Sequence, residues 1–349
     1  MHLDFLPSRT LTTYLAKMFA VRILAVLLML VLVLMMMDLL SESGKILAAP
    51  GNGQAELLTY ASLRVPQLVA RFLPYSVLLA TLITLVGLNQ HSEVIAMKAA
   101  GLSAHQVLAP LVLTAAIVSL ASFAFNERVV TRATATLKAW QANEFGPVPP
   151  DSNVRANVYV TDGPNIMAAA TVTGTGTAMT MRGITYYTRS ADGMIIERLT
   201  APAAVYANPG WRLVRARRFE VQGANSSTLA APVVGRGVTP QQIELARVDP
   251  ETKSFTALTD SIARYEAAGR NSDELRATWW HKISGPLSAM LMPLLGSIAA
   301  FGLARSGQLF LRALIGMALG FAYFVVDNAA LAMGGFGGYP PFLAAFAPF

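Results

Sequence analysis

Residues 18–40 read MFAVRILAVLLMLVLVLMMMDLL, and the nature of that run decides the fold. Apolar side chains surround it on every side, with Arg22 near one end and Asp38 near the other. As a helix it is long enough to cross the ~30 Å hydrocarbon core of a bilayer. A secretory leader has an apolar core of only about 7–15 residues, so Leu47-Ala48-Ala49 does not mark a cleavage site and the run is an uncleaved anchor. Working outward, comparable runs lie at Val65 to Leu88, Val107 to Phe125, Ile283 to Leu303 and Leu309 to Val326. A sixth begins near Tyr339 and the sequence then stops. That piece is too short to cross, so the natural chain is expected to continue.

Composition agrees. Apolar residues make up 54% and charged residues 13% of the chain, against about 45–50% and 25% in soluble proteins. The apolar residues cluster at the two ends, whereas Lys138 to Arg276 reads as ordinary polar protein. The net charge of +7 is spread thinly, without a Lys/Arg tract, which argues against nucleic acid as a partner. The chain has no cysteine, so it holds no disulfide and no thiolate metal site. Arg9, Lys17 and Arg22 before and within the first run, Lys98 in the next inner loop, and Arg305 and Arg312 around the loop before the fifth run place the N-terminus in the cytoplasm. Lys45, Arg64 and Arg71 oppose this bias. A cytoplasmic N-terminus puts the polar insert outside.

Within the insert, short β-branched or alternating segments recur at Asn157–Thr161, Ile166–Val172, Met179–Thr188, Met194–Ala203, Trp211–Val221 and Ser227–Val234. Asp162-Gly163-Pro164, Ala191-Asp192-Gly193 and Asn208-Pro209-Gly210 separate them as turns. The pattern predicts an antiparallel all-β sandwich or jelly roll. Beyond it, Phe255, Leu258, Ile262 and Tyr265 form a helical stripe ended by Gly269, and Trp279 and Trp280 suit a membrane interface.

No phosphate-binding loop, zinc-protease motif or serine-hydrolase elbow is present, and His2, His91, His105 and His281 are scattered. The chain therefore neither binds ATP nor carries a catalytic or metal site of its own. The most informative polar stretch is Asn89 to Ser103, between the second and third runs. It predicts a short helix with Ser92 as cap, Glu93 in the first turn, Val94 and Met97 on one face, Lys98 beyond them and Gly101 as the stop. Two readings stand at this point: a connector on the membrane surface, or a coupling helix docked on a cytoplasmic ATPase.

Other candidates are charges near the membrane. Asp38, Lys45, Arg64, Arg71 and Asp327 are either interfacial ions or groups that meet an anionic substrate at a gate. Gly316 and Gly320 form a small-xxx-small pair suited to close helix packing.

Ser92-Glu93-Val94-Ile95-Ala96-Met97-Lys98-Ala99-Ala100-Gly101-Leu102-Ser103 resembles the cytoplasmic loop of the lipopolysaccharide-export permeases of the LptF/LptG family. Trp280-His281-Lys282-Ile283-Ser284-Gly285-Pro286-Leu287-Ser288, Arg305-Ser306, Phe324-Val325-Val326-Asp327-Asn328 and Gly338-Tyr339-Pro340-Pro341 extend the resemblance over essentially the whole chain. The last two elements are more like the LptG branch. The resemblance implies an α-helical membrane protein of six transmembrane helices, the sixth truncated here, with a periplasmic β-jelly-roll between the third and fourth. It divides the chain into a membrane half at 1–137 with the coupling helix at about 89–103, a jelly roll at 138–250, a connecting helix at 251–278 and a second membrane half at 279–349.

The partners it implies are a second, LptF-like permease, two copies of an LptB-like ATPase that binds ATP and magnesium, and LptC-like and LptA-like bridge proteins in the periplasm. The substrate is lipopolysaccharide in the membrane lipid, drawn from the outer leaflet through lateral gates at the first and fifth spans. Family members place basic residues near the outer end of the first span, where only Lys45 lies close. A lipoprotein exporter would need the same coupling helix with a different gate, and a membrane scaffold would not need the coupling helix at all.

Overall fold

A computed structural model describes residues 6–148, 155–190, 192–244, 246, 248–301 and 309–349. The chain divides into two compact units, one of Met1–Asp38, Val65–Val130 and Ser254–Phe349, the other of Leu39–Arg64 and Thr131–Lys253.

The first unit is helical. Its helices are α1 (Arg9–Ala48), α2 (Gln54–Gln90), α3 (Glu93–Ala99), α4 (Ala104–Phe125), α7 (Phe255–Ala267), α8 (Asp273–Phe301), α9 (Leu309–Gly335) and α10 (Pro341–Phe346), with α1 and α2 running on into the second unit. Among the described residues, four helices are long and apolar enough to cross a membrane: Arg9–Ala48, Gln54–Gln90, Ala104–Ala142 and Leu314–Gly335. They carry the first, second, third and fifth expected spans. The fourth, Ile283–Leu303, lies on α8 as far as Phe301, and its end, with Arg305 and Ser306, falls outside the described residues. The short sixth element is α10, six residues long. Phe342 and Phe346 of α10 pack on Trp280, with ring centroids 5.1 and 6.1 Å away.

Three buried hydroxyls inside the helices are satisfied by their own helix, whereas the Thr84 hydroxyl of α2 is buried without a partner among the described residues. Ser76, Thr81 and Thr114 donate to the carbonyls of Phe72, Val77 and Pro110, at 3.0, 2.7 and 2.8 Å. In an apolar surrounding such back-bonding removes the cost of an unpaired hydroxyl. A π-turn at Asn126–Val130 follows α4, and α5 (Thr131–Ala142) begins the second unit's longest stretch.

In the second unit the strands are β1 (Arg155–Asp162), β2 (Asn165–Thr173), β3 (Thr180–Arg189), β4 (Ile195–Tyr206), β5 (Trp211–Val214), β6 (Ala216–Glu220), β7 (Asn225–Leu229) and β8 (Val233–Val234), followed by α6 (Pro240–Glu244). All pairings are antiparallel, and each row pairs with its neighbour in the chain. The expected Trp211–Val221 segment is two strands, because Arg215 takes a left-handed φ of 51° between β5 and β6. Both halves pair with β4 in one common register, so the break is local. β7 and β8 divide the next row in the same way. The antiparallel all-β domain expected from the sequence is present, its eight strands joined in one antiparallel sheet with an apolar face.

A crease runs across that sheet. Asn157, Ala170, Gly183, Pro202 and Arg215 face one another in successive rows, and all are skipped in the ladder while the register on either side is unchanged. Asn157, Gly183 and Arg215, in alternate rows, have φ of 54°, 58° and 51°. In four of the rows the buried apolar series advances by three at the crease instead of two: Ala169 to Val172, with the polar Thr171 buried beside it, Met181 to Ile184, Ala201 to Ala204 and Leu213 to Ala216. The extra residue acts as a bulge repeated in every row, bending the sheet without slipping it. Gly183 is required at this place, since a Cβ there would lie 2.8 Å from the Ala170 Cβ. Val158, Met167, Ile184, Leu199 and Trp211 fill the core on the apolar face.

Candidate functional site

α3 is a seven-residue helix, too short to persist without packing. The expectation that Ser92 caps it is corrected: Ser92 has φ 58° and its side chain makes no capping bond. The chain leaves α2 through a tight turn in which Ser92 N–H donates to Asn89 O (3.1 Å), and this turn leaves the serine hydroxyl out of line with the helix start. At the other end Gly101, at φ 86°, lets its own N–H reach Lys98 O and that of Leu102 reach Met97 O, both at 3.0 Å. This double bond closes the helix as a Schellman motif. Ser103 then caps α4 in a reciprocal pair with Gln106.

Val94 and Met97 are 3% and 8% exposed, turned into the first unit, where α3 packs against α4. A docking face built from these two residues is therefore revised. They anchor the helix, and the outward apolar side chain is Ile95, 64% exposed, flanked by exposed Ala96, Lys98 and Ala99. Glu93 is half-buried and reaches back to the first helix, where Tyr14 Oη donates to its Oε2 at 3.2 Å. Further along, Arg22 Nη1 donates to Ile83 O of α2 at 3.3 Å. α1 is thus tied to α3 by Tyr14 and to α2 by Arg22.

The other expected site residues are dispersed. Lys45 pairs with Glu42 one turn back at 2.9 Å, and its side chain is 67% exposed. Such an exposed pair is weak, so the ammonium stays available to an anion. Asp38 and Arg64 are half-buried, and Arg71 is exposed on α2. Asp327 of α9 meets His281 of α8, Oδ2 to Nε2 at 3.8 Å, which joins two of the motifs singled out in the sequence. Gly316 and Gly320 are both buried. A Cβ at Gly320 would lie 2.1 Å from Leu78 Cδ2, so this glycine packs α9 onto α2 of the same chain.

One cluster was not foreseen. Glu127, in the π-turn, accepts the N–H of Phe255 at the start of α7 (2.7 and 2.8 Å) and lies 3.6 Å from Lys282 Nζ of α8. Phe255 in turn stacks on Trp279 at 4.5 Å. The signal available beforehand was an acid placed directly after an apolar run. Among the described residues no group of His, Cys, Asp and Glu is arranged to hold a metal ion.

The family model described as lipopolysaccharide export system permease LptF/LptG matches residues 13–349. The chain is 25% identical to the lipopolysaccharide export system permease protein LptG of Escherichia coli strain K12, over 98% of this chain and 95% of that protein. It is 22% identical to the protein of the same name from Haemophilus influenzae, over 78% of this chain and 76% of that one.

Proposed function

The chain belongs to the LptF/LptG family of lipopolysaccharide export permeases, and from that premise we propose how its residues take part in export. It is a multi-pass membrane permease of the lipopolysaccharide export system, with an antiparallel β-sheet region set between its helices. The finer reading places the N-terminus and α3 in the cytoplasm and the β-bearing region in the periplasm of a bacterial inner membrane. A partner ATPase, present in two copies and holding ATP and magnesium, docks on α3, and a second permease of the same family completes the lipid cavity. LptC-like and LptA-like proteins receive the lipid.

The observation that carries this reading is the Tyr14–Glu93 bond. When the ATPase moves, α3 moves with it. Val94 and Met97 pass that displacement to the helical body, and Glu93 passes it to α1, which carries apolar side chains at its surface along most of its length. Among the four described spans, α1 and α9 bury the smallest share of their apolar windows, 17% each, the property expected of gate helices that open to lipid. Lys45, at the end of α1, meets a phosphate of the waiting lipid.

Glu93→Ala is expected to weaken or uncouple the complex while leaving the β-bearing unit folded. Removing the carboxylate leaves the Tyr14 hydroxyl without its acceptor, a loss on the order of 1–3 kcal/mol. Lipid release from reconstituted vesicles, ATPase rate and recovery of the complex on a tagged ATPase are measured together. Tyr14→Phe, which leaves the α3 surface intact, is expected to assemble normally and to release less lipid per ATP. Normal release and assembly in Glu93→Ala would remove α3 from the coupling role.

A further inference from the structure

We infer that the seam between α1 and α2 at Arg22 and Gly87 holds the phosphate of an anionic membrane phospholipid. Arg22 lies inside the apolar run that opens at Met18, about 6 Å along the helix axis from its start. A cation at that depth needs a counter-charge. Among the described residues none supplies it: the half-buried guanidinium makes no ion pair and donates only from Nη1, to Ile83 O at 3.3 Å. That carbonyl already serves the helix ladder of α2, so the bond is a weak one. An arginine carries its N–H donors in a rigid fork, and the edge formed by Nε and Nη2 is left over.

The seat is shaped for this group. A Cβ at Gly87 would lie 3.4, 3.7 and 3.9 Å from Arg22 Nη2, Nη1 and Cζ, so the guanidinium rests face-on against α2 in a notch that a larger residue would fill. His91, one turn further along α2 and exposed, folds onto the same glycine. Its Nδ1 donates to Gly87 O at 2.8 Å, which leaves Nε2 to donate to an anion when the ring is charged. A phosphate takes the free arginine edge with two of its oxygens, a geometry that a carbonyl cannot offer. Basic pockets between spans near the cytoplasmic surface are places where anionic headgroups settle. The Arg22 charge also reaches the Tyr14 hydroxyl that bonds Glu93, so an anion at Arg22 bears on the coupling contact. The lipid clamps α1 to α2 at this end and leaves the rest of α1 to move as a gate.

The choice of phospholipid rests on the reading that the N-terminus is cytoplasmic. Arg22 then meets the inner leaflet, whereas lipopolysaccharide is drawn from the outer one. In the test, the complete complex with the second permease and the ATPase is stripped of lipid in detergent. It is offered phosphatidylglycerol, phosphatidylcholine or lipopolysaccharide in turn, and bound lipid is counted by native mass spectrometry. The unaltered complex should hold phosphatidylglycerol, and Arg22→Gln should hold it about tenfold more weakly. Arg22→Lys keeps the charge without the fork and should fall between them. Gly87→Leu keeps the arginine and fills the notch, and it should bind as poorly as Arg22→Gln. Recovery of each variant on a tagged ATPase verifies that it folds. Equal retention of phosphatidylglycerol in the unaltered and Arg22→Gln complexes overturns the site, and so does equal retention in Gly87→Leu. Phosphatidylcholine held as tightly as phosphatidylglycerol overturns the anionic requirement. If Arg22→Gln loses lipopolysaccharide while phosphatidylglycerol is unchanged, the phospholipid assignment falls and the cytoplasmic placement of Arg22 is the premise that failed. Binding in this test needs no export, so it decides the site separately from the reading of the chain as an exporter.

Discussion

α1 and α2 follow each other in the chain, have 40 and 37 residues, and are both apolar, yet they are buried in opposite ways. α1 buries one stripe, Leu15, Phe19, Ile23, Val26, Val31 and Met35, and exposes Leu24, Leu28, Leu32, Met36 and Leu40. α2 buries Val77, Leu78, Ala80, Thr81, Leu82, Thr84, Leu85 and Leu88, side chains spread over roughly half of its circumference within a few turns, with Ile83 on the open side. The difference teaches that apolarity in this chain serves two solvents. In α2 it faces the other helices of this chain, and in α1 much of it faces away from them. α9 is of the α1 kind, with Phe321, Val325 and Val326 at 64%, 48% and 53% exposure.

The strongest way to break this contrast is to shorten equivalent side chains. Leu85→Ala, at a site 1% exposed, is expected to cost about 2–5 kcal/mol. Leu32→Ala, at 60% exposure, should stay within about 0.5 kcal/mol. Thermal unfolding of the detergent-solubilised protein measures both, and equal losses would erase the distinction. Next in size is Gly320→Val, which pushes α9 off Leu78 and is expected to cost about 1–3 kcal/mol. Adding Leu78→Ala should recover part of that loss, and no recovery would mean that the glycine serves some other contact.

Labelling sharpens the contrast without unfolding anything. A photo-crosslinking residue at Leu32 should capture lipopolysaccharide or the second permease, and one at Lys45 should capture lipopolysaccharide, whereas one at Leu85 should capture only this chain. Foreign adducts at Leu85 equal to those at Leu32 would defeat it. The smallest effect lies outside both helices and serves as a control. The Glu266 carboxyl is held below the usual carboxylate range by the Ser272 hydroxyl and then by Arg276, both hydrogen-bonded to it. A folded pKa below the unfolded one means that this contribution is present above the ordinary carboxylate range and fades as pH falls through the folded value. The melting difference between Glu266→Gln and the unaltered chain should therefore be slight at neutral pH and vanish in acid.

Much of this was legible in the sequence, for a physical reason: spans and turns are written in local chemistry. The apolar runs fall on long helices, and Asp162-Gly163-Pro164 and Asn208-Pro209-Gly210 separate strands where a turn was expected. The family motifs around Glu93 and His281 were also readable. Facing was not. Val94, Ile95 and Met97 are all apolar, and nothing within a seven-residue helix says that the first and last go inward while Ile95 stays out. Tyr14 and Glu93 are 79 residues apart, so their bond exists only after α1 and α3 have packed. The crease is invisible for a different reason, because Ala170 and Pro202 are unremarkable until their neighbours across the sheet are known.

That crease also restricts how the chain can change length. Residue 183 meets 170 on one side and 202 on the other, so the fold line is a shared count kept in step by separate strands. Deleting Thr185 would leave the crease in β3 where it is and turn every later side chain of that strand over, sending Tyr186 outward. A deletion before Gly183 would instead move the fold line itself out of step with β2 and β4. Side chains in these rows are free to be exchanged for others of like size. Insertions and deletions are confined to the turns, such as the one between β3 and β4, where lengthening alters no strand's count.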